Sequence, residues 1–213
     1  MPERTLAVIN GLDADIVVLQ EADKRLGVRR PAISRELIAS ETDFELIEVA
    51  QNDISLGWHG NAILTRSAAS VTHIERLNLP GLEPRGAVRV SLDISGGLCI
   101  MATHLGLRRR DRRKQLEVLR KATQNSTHAV LAGDFNEWSM QKGMEPLEGR
   151  FEVHAPGRSF HARRPVAALD RFAVSHNLQV ASGGVDESDL ARRASDHLPI
   201  WADISITPQS ATC

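Results

Sequence analysis

The sequence predicts an α/β fold, and its pattern of elements allows two packed β-sheets flanked by helices. Predicted strands outnumber predicted helices, many strands are short apolar runs, and no linker rich in Pro, Gly or Ser divides the 213 residues. We therefore predict one domain over residues 1–206, followed by a frayed tail over residues 207–213.

The elements follow from the spacing of apolar residues along the chain. Pro2 is permitted in a first helical turn and Leu6 and Ile9 share one face, so residues 2–12 predict a helix. The apolar run that follows predicts a strand over 15–20, and helical spacing predicts helices over 31–39 and 110–123. Further short apolar or alternating runs predict strands near 45–50, 61–66, 71–77, 86–93, 98–104, 128–133, 151–154, 169–175, 178–182 and 199–206.

Composition limits the possible classes of protein. Hydrophobic residues make up 42% of the chain, which is enough for a substantial core, and the net charge of −1 lacks the basic excess of a strong nonspecific nucleic-acid binder. No run of about 20 apolar residues and no basic-then-apolar leader occurs, so neither a membrane span nor secretion is predicted. Cys99 lies in a predicted buried strand and Cys213 is the last residue, which argues against a disulfide framework and favours the cytoplasm.

The most informative segment is the strand over 128–133 and the residues that follow it. Gly133 allows the chain to turn, and Asp134 and Asn136 then lie at the edge of a sheet, where loops often carry chemistry. A carboxylate can hold a hard cation or accept a proton from water, whereas a neutral amide can orient a phosphate or a water. Together with the polar segment Ser195–Pro199 near the C-terminus, this pair predicts a site that hydrolyses phosphoesters.

Three other segments repeat the pattern of an apolar strand that meets a polar group. Glu21 and His104 follow strands, and Asp170 opens one. A fourth polar segment, Ser195–Pro199, contains Asp196 and His197. Each segment alone is weak, because a lone carboxylate is usually on the surface and a lone His is usually structural. Together they are difficult to explain without a shared site.

With these motifs in order, the chain resembles the endonuclease/exonuclease/phosphatase superfamily, which has the deoxyribonuclease-I-like fold. The matching segments are Leu19–Glu21, Gly60–Arg66, Arg85–Ala87, Thr103–Leu105, Gly133–Asn136, Leu169–Arg171 and Ser195–Pro199. The resemblance implies a four-layered α-β-β-α sandwich of two mixed, mostly antiparallel sheets, with the site between the sheet ends. It also implies a Mg²⁺-dependent phosphoester hydrolase, either a phosphodiesterase or nuclease or a phosphatase.

The resemblance implies roles for the acidic and amide side chains. Glu21 would bind Mg²⁺, for which Mn²⁺ could substitute, and Asp196 would contribute to the metal or to a second one. Asp134 would activate or align the attacking water, and Asn136 would orient that water or the phosphate.

Roles for the histidines and weaker candidates follow from the same resemblance. His197 would donate to a nonbridging oxygen or act as the base, with Asp170 fixing its tautomer, and His104 would contact the phosphate. The choice of base between Asp134 and His197 is open. Three further candidates for phosphate or substrate binding each have a structural alternative: Arg85 as part of a salt bridge, Asn61 as part of a turn, and Trp138 as a wall of the site.

A cluster of cations, Arg108–Arg110 and Arg112–Lys114, opens the helix that follows His104. Cations at a helix N-terminus oppose the helix dipole, so this placement is mildly unfavourable for stability. Two interpretations are open, a solvated helix face or an anion-binding rim near the site, to which Arg163 and Arg164 would add.

One departure from the family pattern affects the functional prediction. Family members begin with a central strand that ends in an Asn or Asp near the metal, whereas residues 2–12 here already predict the following helix. We expect either that the sequence starts late or that the protein lacks this strand. A catalytically silent or truncated family member that acts as a binding domain therefore stays as the alternative. A Ser-His-Asp acyl hydrolase is disfavoured because no Gly-x-Ser-x-Gly motif occurs.

The remaining expectations concern partners. We expect a monomer that acts on a phosphoester in a nucleic acid, a phospholipid headgroup or a small phosphodiester. No segment of the sequence distinguishes among these substrates.

Overall fold

The computed structural model describes residues 2–66 and 70–207. The helices and strands in chain order are α1 (Pro2–Gly11), β1 (Ile16–Leu19), α2 (Arg35–Glu41), β2 (Glu45–Leu46), β3 (Ala62–Thr65), β4 (Val71–Leu79), β5 (Arg85–Leu92), β6 (Leu98–His104), α3 (Arg109–Ala122), β7 (His128–Asp134), a 3₁₀ turn (Glu145–Leu147), β8 (Phe151–His154), β9 (Asp170–Ser175), β10 (Leu178–Val185), α4 (Ala191–Ala194) and β11 (Ile200–Ile206).

The largest sheet has six strands in the order β4-β5-β6-β7-β9-β8. Strands β6 and β7 are parallel and are joined by the crossover helix α3, whereas the other neighbours are antiparallel. The register places His104 beside Asp134 and Asp134 beside Asp170. The sheet therefore brings three polar residues from distant parts of the sequence to one edge.

The second layer of strands consists of the three-stranded sheet β1-β3-β2 and the pair β10-β11. Successive side chains of a strand point to opposite faces. In β6, Ile100 and Ala102 accordingly pack in the core between the sheets, whereas Cys99 and Met101 pack on the other face. Ile63 of β3 joins the same inter-sheet core from the opposite side.

Helices cover the two outer faces. Leu116 and Leu119 of α3 pack on the six-stranded sheet together with Met101. Leu6 of α1 and Ile38 of α2 pack on the outer face of the three-stranded sheet. The structure therefore confirms the predicted order of helix, sheet, sheet and helix.

Strand β1 has one paired edge and one open edge. In an antiparallel pair, opposite residues alternate between pairs that exchange backbone hydrogen bonds and pairs that point these groups away from the partner. The Arg66 N–H donates to the Asp15 carbonyl (2.9 Å) just before β1 begins, opposite the end of β3. With this register, the backbone groups of Ile16 and Val18 point away from β3.

Strand β11 has an equivalent open edge. The Asp186 N–H donates to the Pro199 carbonyl, and the Thr207 N–H donates to the Asn177 carbonyl, both at 2.9 Å. Strands β10 and β11 are interrupted by a bulge between Val180 and Ser182, and on each side of it hydrogen-bonded residue pairs alternate with pairs whose backbone groups point outward. The residues whose backbone groups point away from β10 are Ile200, Ala202, Ile204 and Ile206.

Both open edges line one cavity, and among the described residues no strand lies between them. We call this groove between β1 and β11 the strand slot. Val8 and Ile9 of α1 also line it. The lining side chains of β1 are apolar and those of β11 are mostly so. Among the described residues, no strand pairs with the outward backbone groups of the two edges, which a further strand would satisfy.

The predicted elements agree with the observed ones except at a few boundaries. The helix predicted over 31–39 begins at Arg35, because Ser34 caps it by accepting from the Leu37 N–H and Pro31 forms an isolated bridge with Asp23. The strand predicted near 45–50 ends at Leu46. The sequence analysis also missed the 3₁₀ turn and α4, which are only three and four residues long.

Three further predictions concern the tail, the cysteines and the membrane. Residues 208–213, and with them Cys213 and most of the predicted tail, lie outside the described residues. Cys99 is buried, as its strand position predicted, and is a free cysteine. No helix in the described ranges is long and apolar enough to cross a membrane.

Candidate active site

A cavity of about 1130 Å³ opens where β1, β6, β7 and β9 meet, and it continues into the strand slot. Nine of the ten predicted site residues line this cavity. They are Glu21, Arg85, His104, Asp134, Asn136, Trp138, Asp170, Asp196 and His197.

Asp134 lies at the centre of this group and is buried. Its Oδ2 is 3.3 Å from His104 Nε2, and its Oδ1 accepts a hydrogen bond from the Asn136 N–H at 2.8 Å. The Asn136 side-chain amide donates to the Leu105 carbonyl at 2.9 Å, so it also connects the ends of β6 and β7. The carboxylate of Asp134 is therefore held from two sides.

The backbone around Asp134 requires unusual conformations. Gly133 has φ of +143°, and a Cβ at this position would lie 1.9 Å from the Thr103 carbonyl oxygen. Only glycine therefore allows β7 to lie this close to β6 at the site. Asn136 also adopts a positive φ of 50°, which asparagine tolerates better than most residues.

Asp170 and His197 form a hydrogen-bonded pair on the opposite side of the cavity. Asp170 Oδ2 lies 2.7 Å from His197 Nδ1, and the Ser159 hydroxyl donates to the same carboxylate oxygen. Since Nδ1 is engaged, Nε2 is the ring nitrogen left for a ligand. The predicted pairing of these two residues is confirmed.

The surroundings of His197 favour its charged form. Burial alone lowers the pKa of His197, but the hydrogen bond with Asp170 and the negative charges of Asp170, Asp134 and Asp196 raise it to about 9. The side chain retains 25% exposure, so the ring is accessible from the cavity. His197 is therefore a cationic donor beside the carboxylates of the site.

Glu21 and Asp196 are exposed carboxylates at the cavity wall. Glu21 has a positive φ of 54°, and its neighbour Ala22 donates its N–H to the Gly60 carbonyl at 2.9 Å. A positive φ in a residue other than glycine is strained, and such residues concentrate at functional sites. The turn after β1 thus holds Glu21 at the cavity.

Arg85 contributes both of the features that the sequence left open. It is buried, pairs with Glu83 through Nη2 at 3.0 Å, and lines the cavity. Desolvation lowers the pKa of Arg85 below its ordinary value, and the nearby charges of Glu83 and Asp134 offset only part of this effect. Its Nε has no hydrogen-bond partner but is itself buried, so Arg85 contributes a cationic side chain to the cavity wall and not an open Nε donor.

Asn61 does not reach the cavity. It is fully buried, and its side chain donates to the carbonyls of Trp58 and Gly86 at 3.2 and 3.0 Å. Trp58 and Asn61 also exchange backbone hydrogen bonds across a tight turn. The prediction of substrate binding by Asn61 is therefore corrected to its structural alternative, a turn residue.

Trp138 is exposed at the mouth of the cavity, and an aromatic series leads from it to His197. The Trp138 ring lies 6.3 Å from the Phe160 ring, which in turn lies 4.9 Å from the His197 ring. The sequence analysis missed Phe160 and Ser159, because neither belongs to a motif and only tertiary folding brings them to the Asp170–His197 pair.

Arg112 is not part of an anion-binding rim, which corrects the prediction for this member of the cationic cluster. Its Nη2 donates to Glu137 Oε2 at 2.7 Å, and both side chains are only 6% exposed. Arg112 also donates to the Leu107 carbonyl at 2.6 Å, and Glu137 Oε1 accepts from the Ser139 N–H at 2.9 Å. The pair thus fixes two loops that carry site residues.

Comparison with known proteins identifies the family. Residues 2–197 match the Endonuclease/Exonuclease/phosphatase family. This chain belongs to that family. Members of the family are in general hydrolases that act on phosphoesters.

Individual relatives extend this result along the chain. The uncharacterized protein YbhP of Escherichia coli (strain K12) is 29% identical over 228 residues, which cover 97% of this chain and 88% of YbhP. The crystal structure of an endonuclease/exonuclease/phosphatase from Beutenbergia cavernae is similar with a TM-score of 0.72 and 22% identity. That match covers 97% of this chain but only 66% of the other, so this chain spans just under two thirds of that protein.

A third similar structure is the mannosyl-6-phosphatase Bt3783 of Bacteroides thetaiotaomicron. It has a TM-score of 0.73 and 14% identity, and the match covers 96% of this chain and 91% of the phosphatase. At this level of identity the likeness establishes the deoxyribonuclease-I-like fold and does not establish a substrate.

Proposed function

We propose that this member of the endonuclease/exonuclease/phosphatase family is a Mg²⁺-dependent phosphoester hydrolase in which water attacks phosphorus. The observation that carries the proposal is the convergence of Asp134, His104, Glu21 and the Asp170–His197 pair on one cavity, although they are far apart in sequence. A buried carboxylate, two imidazoles and a guanidinium around one space can handle a proton and neutralise a phosphate.

The side chains at the cavity wall fit a hard cation with few protein ligands. Among the described residues, no three His, Cys, Asp or Glu side chains cluster closely enough to form a closed metal cage. Mg²⁺ does not need such a cage, since it usually binds through one or two carboxylates, water and substrate oxygens. Glu21 would hold it, with Asp196 as a second carboxylate. The cation would supply neutralisation of phosphate charge and a lower pKa of a bound water.

The protein's own groups divide the remaining work. Asp134, fixed by the Asn136 N–H, accepts a proton from water or aligns that water for attack. His197 donates through Nε2 to a phosphate oxygen, while Asp170 holds the ring through Nδ1. Arg85 and His104 face the same space and stabilise negative charge on the phosphate.

The direct test is hydrolysis of bis(p-nitrophenyl) phosphate and p-nitrophenyl phosphate by the purified protein. We expect nitrophenol release with Mg²⁺ or Mn²⁺ and none after addition of EDTA. Turnover that persists in EDTA would contradict the metal assignment. The relative rates on the two compounds would indicate whether diesters or monoesters are preferred.

Two substitutions test the residue roles. Asp134→Asn and His197→Ala should each lower kcat by about 10²-fold or more, the scale of a general base or a central transition-state contact, with an unchanged melting temperature. Asn61→Ser is a matched comparison that should act on stability and not on kcat, because Asn61 lies outside the cavity. Wild-type turnover by the His197 variant would require the Asp170–His197 pair to be abandoned as catalytic.

A binding domain without catalysis is the second candidate, and the strand slot is the observation that favours it. The slot continues directly into the site, so any change in its packing would affect Glu21 at the end of β1. If a folded protein hydrolyses neither compound with any divalent cation, this candidate is preferred. The monomeric state and the cytoplasmic location stay predictions, which size-exclusion chromatography and cell fractionation would test.

A further inference from the structure

The five most exposed large hydrophobic residues of the described chain all lie on loops. They are Leu26 (86% exposed), Leu82 (70%), Leu107 (65%), Met140 (63%) and Trp138 (62%). We call these residues the apolar rim. Two of them, Leu107 and Trp138, line the cavity, Leu26 follows the cavity-lining Arg25, and Met140 is two residues from Trp138. Single exposed apolar residues are ordinary, but a group of this size on connected loops is typical of an interaction surface.

Hydrogen bonds and ion pairs connect the loops of the apolar rim. The Leu107 N–H donates to Glu83 Oε1, and Arg25 Nη2 lies 3.8 Å from Glu83 Oε2. The loops that carry Arg25, Glu83 and Leu107 therefore meet at this glutamate. The Leu82 N–H donates to Asp111 in the first turn of α3. Arg25, Leu107 and Trp138 line the same cavity. These contacts connect the loops of Leu26, Leu82 and Leu107, and Arg112 connects the Leu107 carbonyl to Glu137, which is next to Trp138.

Positive charge accompanies the apolar rim. Arg108, Arg110 and Arg113 are exposed at the start of α3, immediately after Leu107, and Lys142 is exposed next to the Met140 loop. These arginines oppose the dipole of α3, so their position does not serve helix stability. Since the whole chain has a net charge of only −1, this concentration of cations is local.

We propose that the apolar rim docks on the surface of a bilayer that contains anionic phospholipids. Exposed leucine, methionine and tryptophan side chains would enter the headgroup region, and the arginines would lie at the level of the phosphates. Nucleic acid fits less well, because single strands are bound by aromatic stacking and cations, whereas four of the five rim residues have no ring.

The docking itself does not depend on catalysis. The presentation of lipid phosphoesters to Asp134 is a consequence of docking that rests on the proposed function. Binding and turnover therefore need separate measurements, and Asp134→Asn allows binding to be measured without consumption of the lipid.

The experiment is co-sedimentation of the Asp134→Asn protein with vesicles of phosphatidylcholine alone or mixed with phosphatidylglycerol. We expect binding to the mixed vesicles that weakens with salt, and little binding to phosphatidylcholine alone. Leu82→Ser with Leu107→Ser should weaken the binding about ten-fold or more. Arg108→Gln with Arg110→Gln should weaken it about five-fold for each charge removed.

Matched controls lie at the opposite end of the six-stranded sheet. Val71→Ser removes an exposed apolar residue at the start of β4, and Lys121→Gln removes an exposed cation at the end of α3, so both should bind as the parent does. Circular dichroism would verify that all variants fold.

Three results would overturn the proposal: no binding to mixed vesicles, equal loss in rim and control variants, or binding to single-stranded DNA without binding to vesicles. Failure of docking with intact hydrolysis of bis(p-nitrophenyl) phosphate would leave the proposed function standing. Docking on vesicles without hydrolysis would support the membrane-docking surface and contradict the proposed hydrolase function.

Discussion

Removal of the Arg112 side chain is expected to destabilise the protein strongly. Arg112→Met keeps an apolar chain of similar length but leaves the Glu137 carboxylate buried without its cation. Both side chains are 6% exposed and 2.7 Å apart, so the carboxylate is largely removed from water. Breaking a buried pair in this way costs about 3–5 kcal/mol of unfolding free energy. For a protein of this length, that corresponds to a fall in Tm of about 6–20 °C.

The double variant Arg112→Met, Glu137→Met separates the buried charge from the loss of packing. It removes both charges, so we expect a Tm well above that of the single variant. Thermal unfolding followed by circular dichroism gives the comparison, with Lys121→Gln as an exposed control that should leave Tm unchanged. If the single variant proved as stable as the wild type or the double variant, the inference that Glu137 depends on Arg112 would be refuted.

The pH dependence gives an independent readout of the same pair. Burial alone raises the pKa of Glu137, but the hydrogen bonds from Arg112 and the Ser139 N–H lower it below its ordinary value of 4.5. A lowered pKa in the folded state means that the stabilisation is complete above about pH 4.5 and is lost as pH falls through the lowered value. The difference in Tm between wild type and Arg112→Met should therefore narrow at acidic pH.

Three other predictions concern the site and its support. Asp170→Asn should lower kcat by about 10–100-fold with little change in KM, because the amide no longer fixes the His197 tautomer; an unchanged kcat would remove that role. Gly133→Ala should destabilise the protein by about 2–5 kcal/mol, since its Cβ would collide with a backbone oxygen of β6, whereas Gly149→Ala, which has open space, should cost less in the same urea titration. An N-terminal extension by a strand of about 6–10 residues ending in Asn should raise Tm and Mg²⁺-dependent turnover by pairing with β1 and β11 in the strand slot. Equal Tm and turnover in the two proteins would contradict that last prediction.

The sequence alone predicted the order of the longer helices and all of the strands, and it selected nine residues that line one cavity. Short apolar runs predict buried strands because a strand between two layers must be apolar on both faces, and this holds for β6 and β7. Asp134, His104 and Glu21 were predicted since each lies at or just after a strand end, where a side chain can reach a cavity without disturbing the core. Local patterns carry this information because strand length and turn chemistry depend on near neighbours.

Only the tertiary structure decided what each polar residue contacts. Asn61 and Arg112 belong to polar motifs, yet one closes a turn and the other pairs with a buried glutamate, because long-range packing determines burial and partners. Ser159 and Phe160 join the Asp170–His197 pair without any sequence signal. The open edges of β1 and β11, like the apolar rim, depend on which distant segments become neighbours, and the spacing of residues along a single chain does not contain that information.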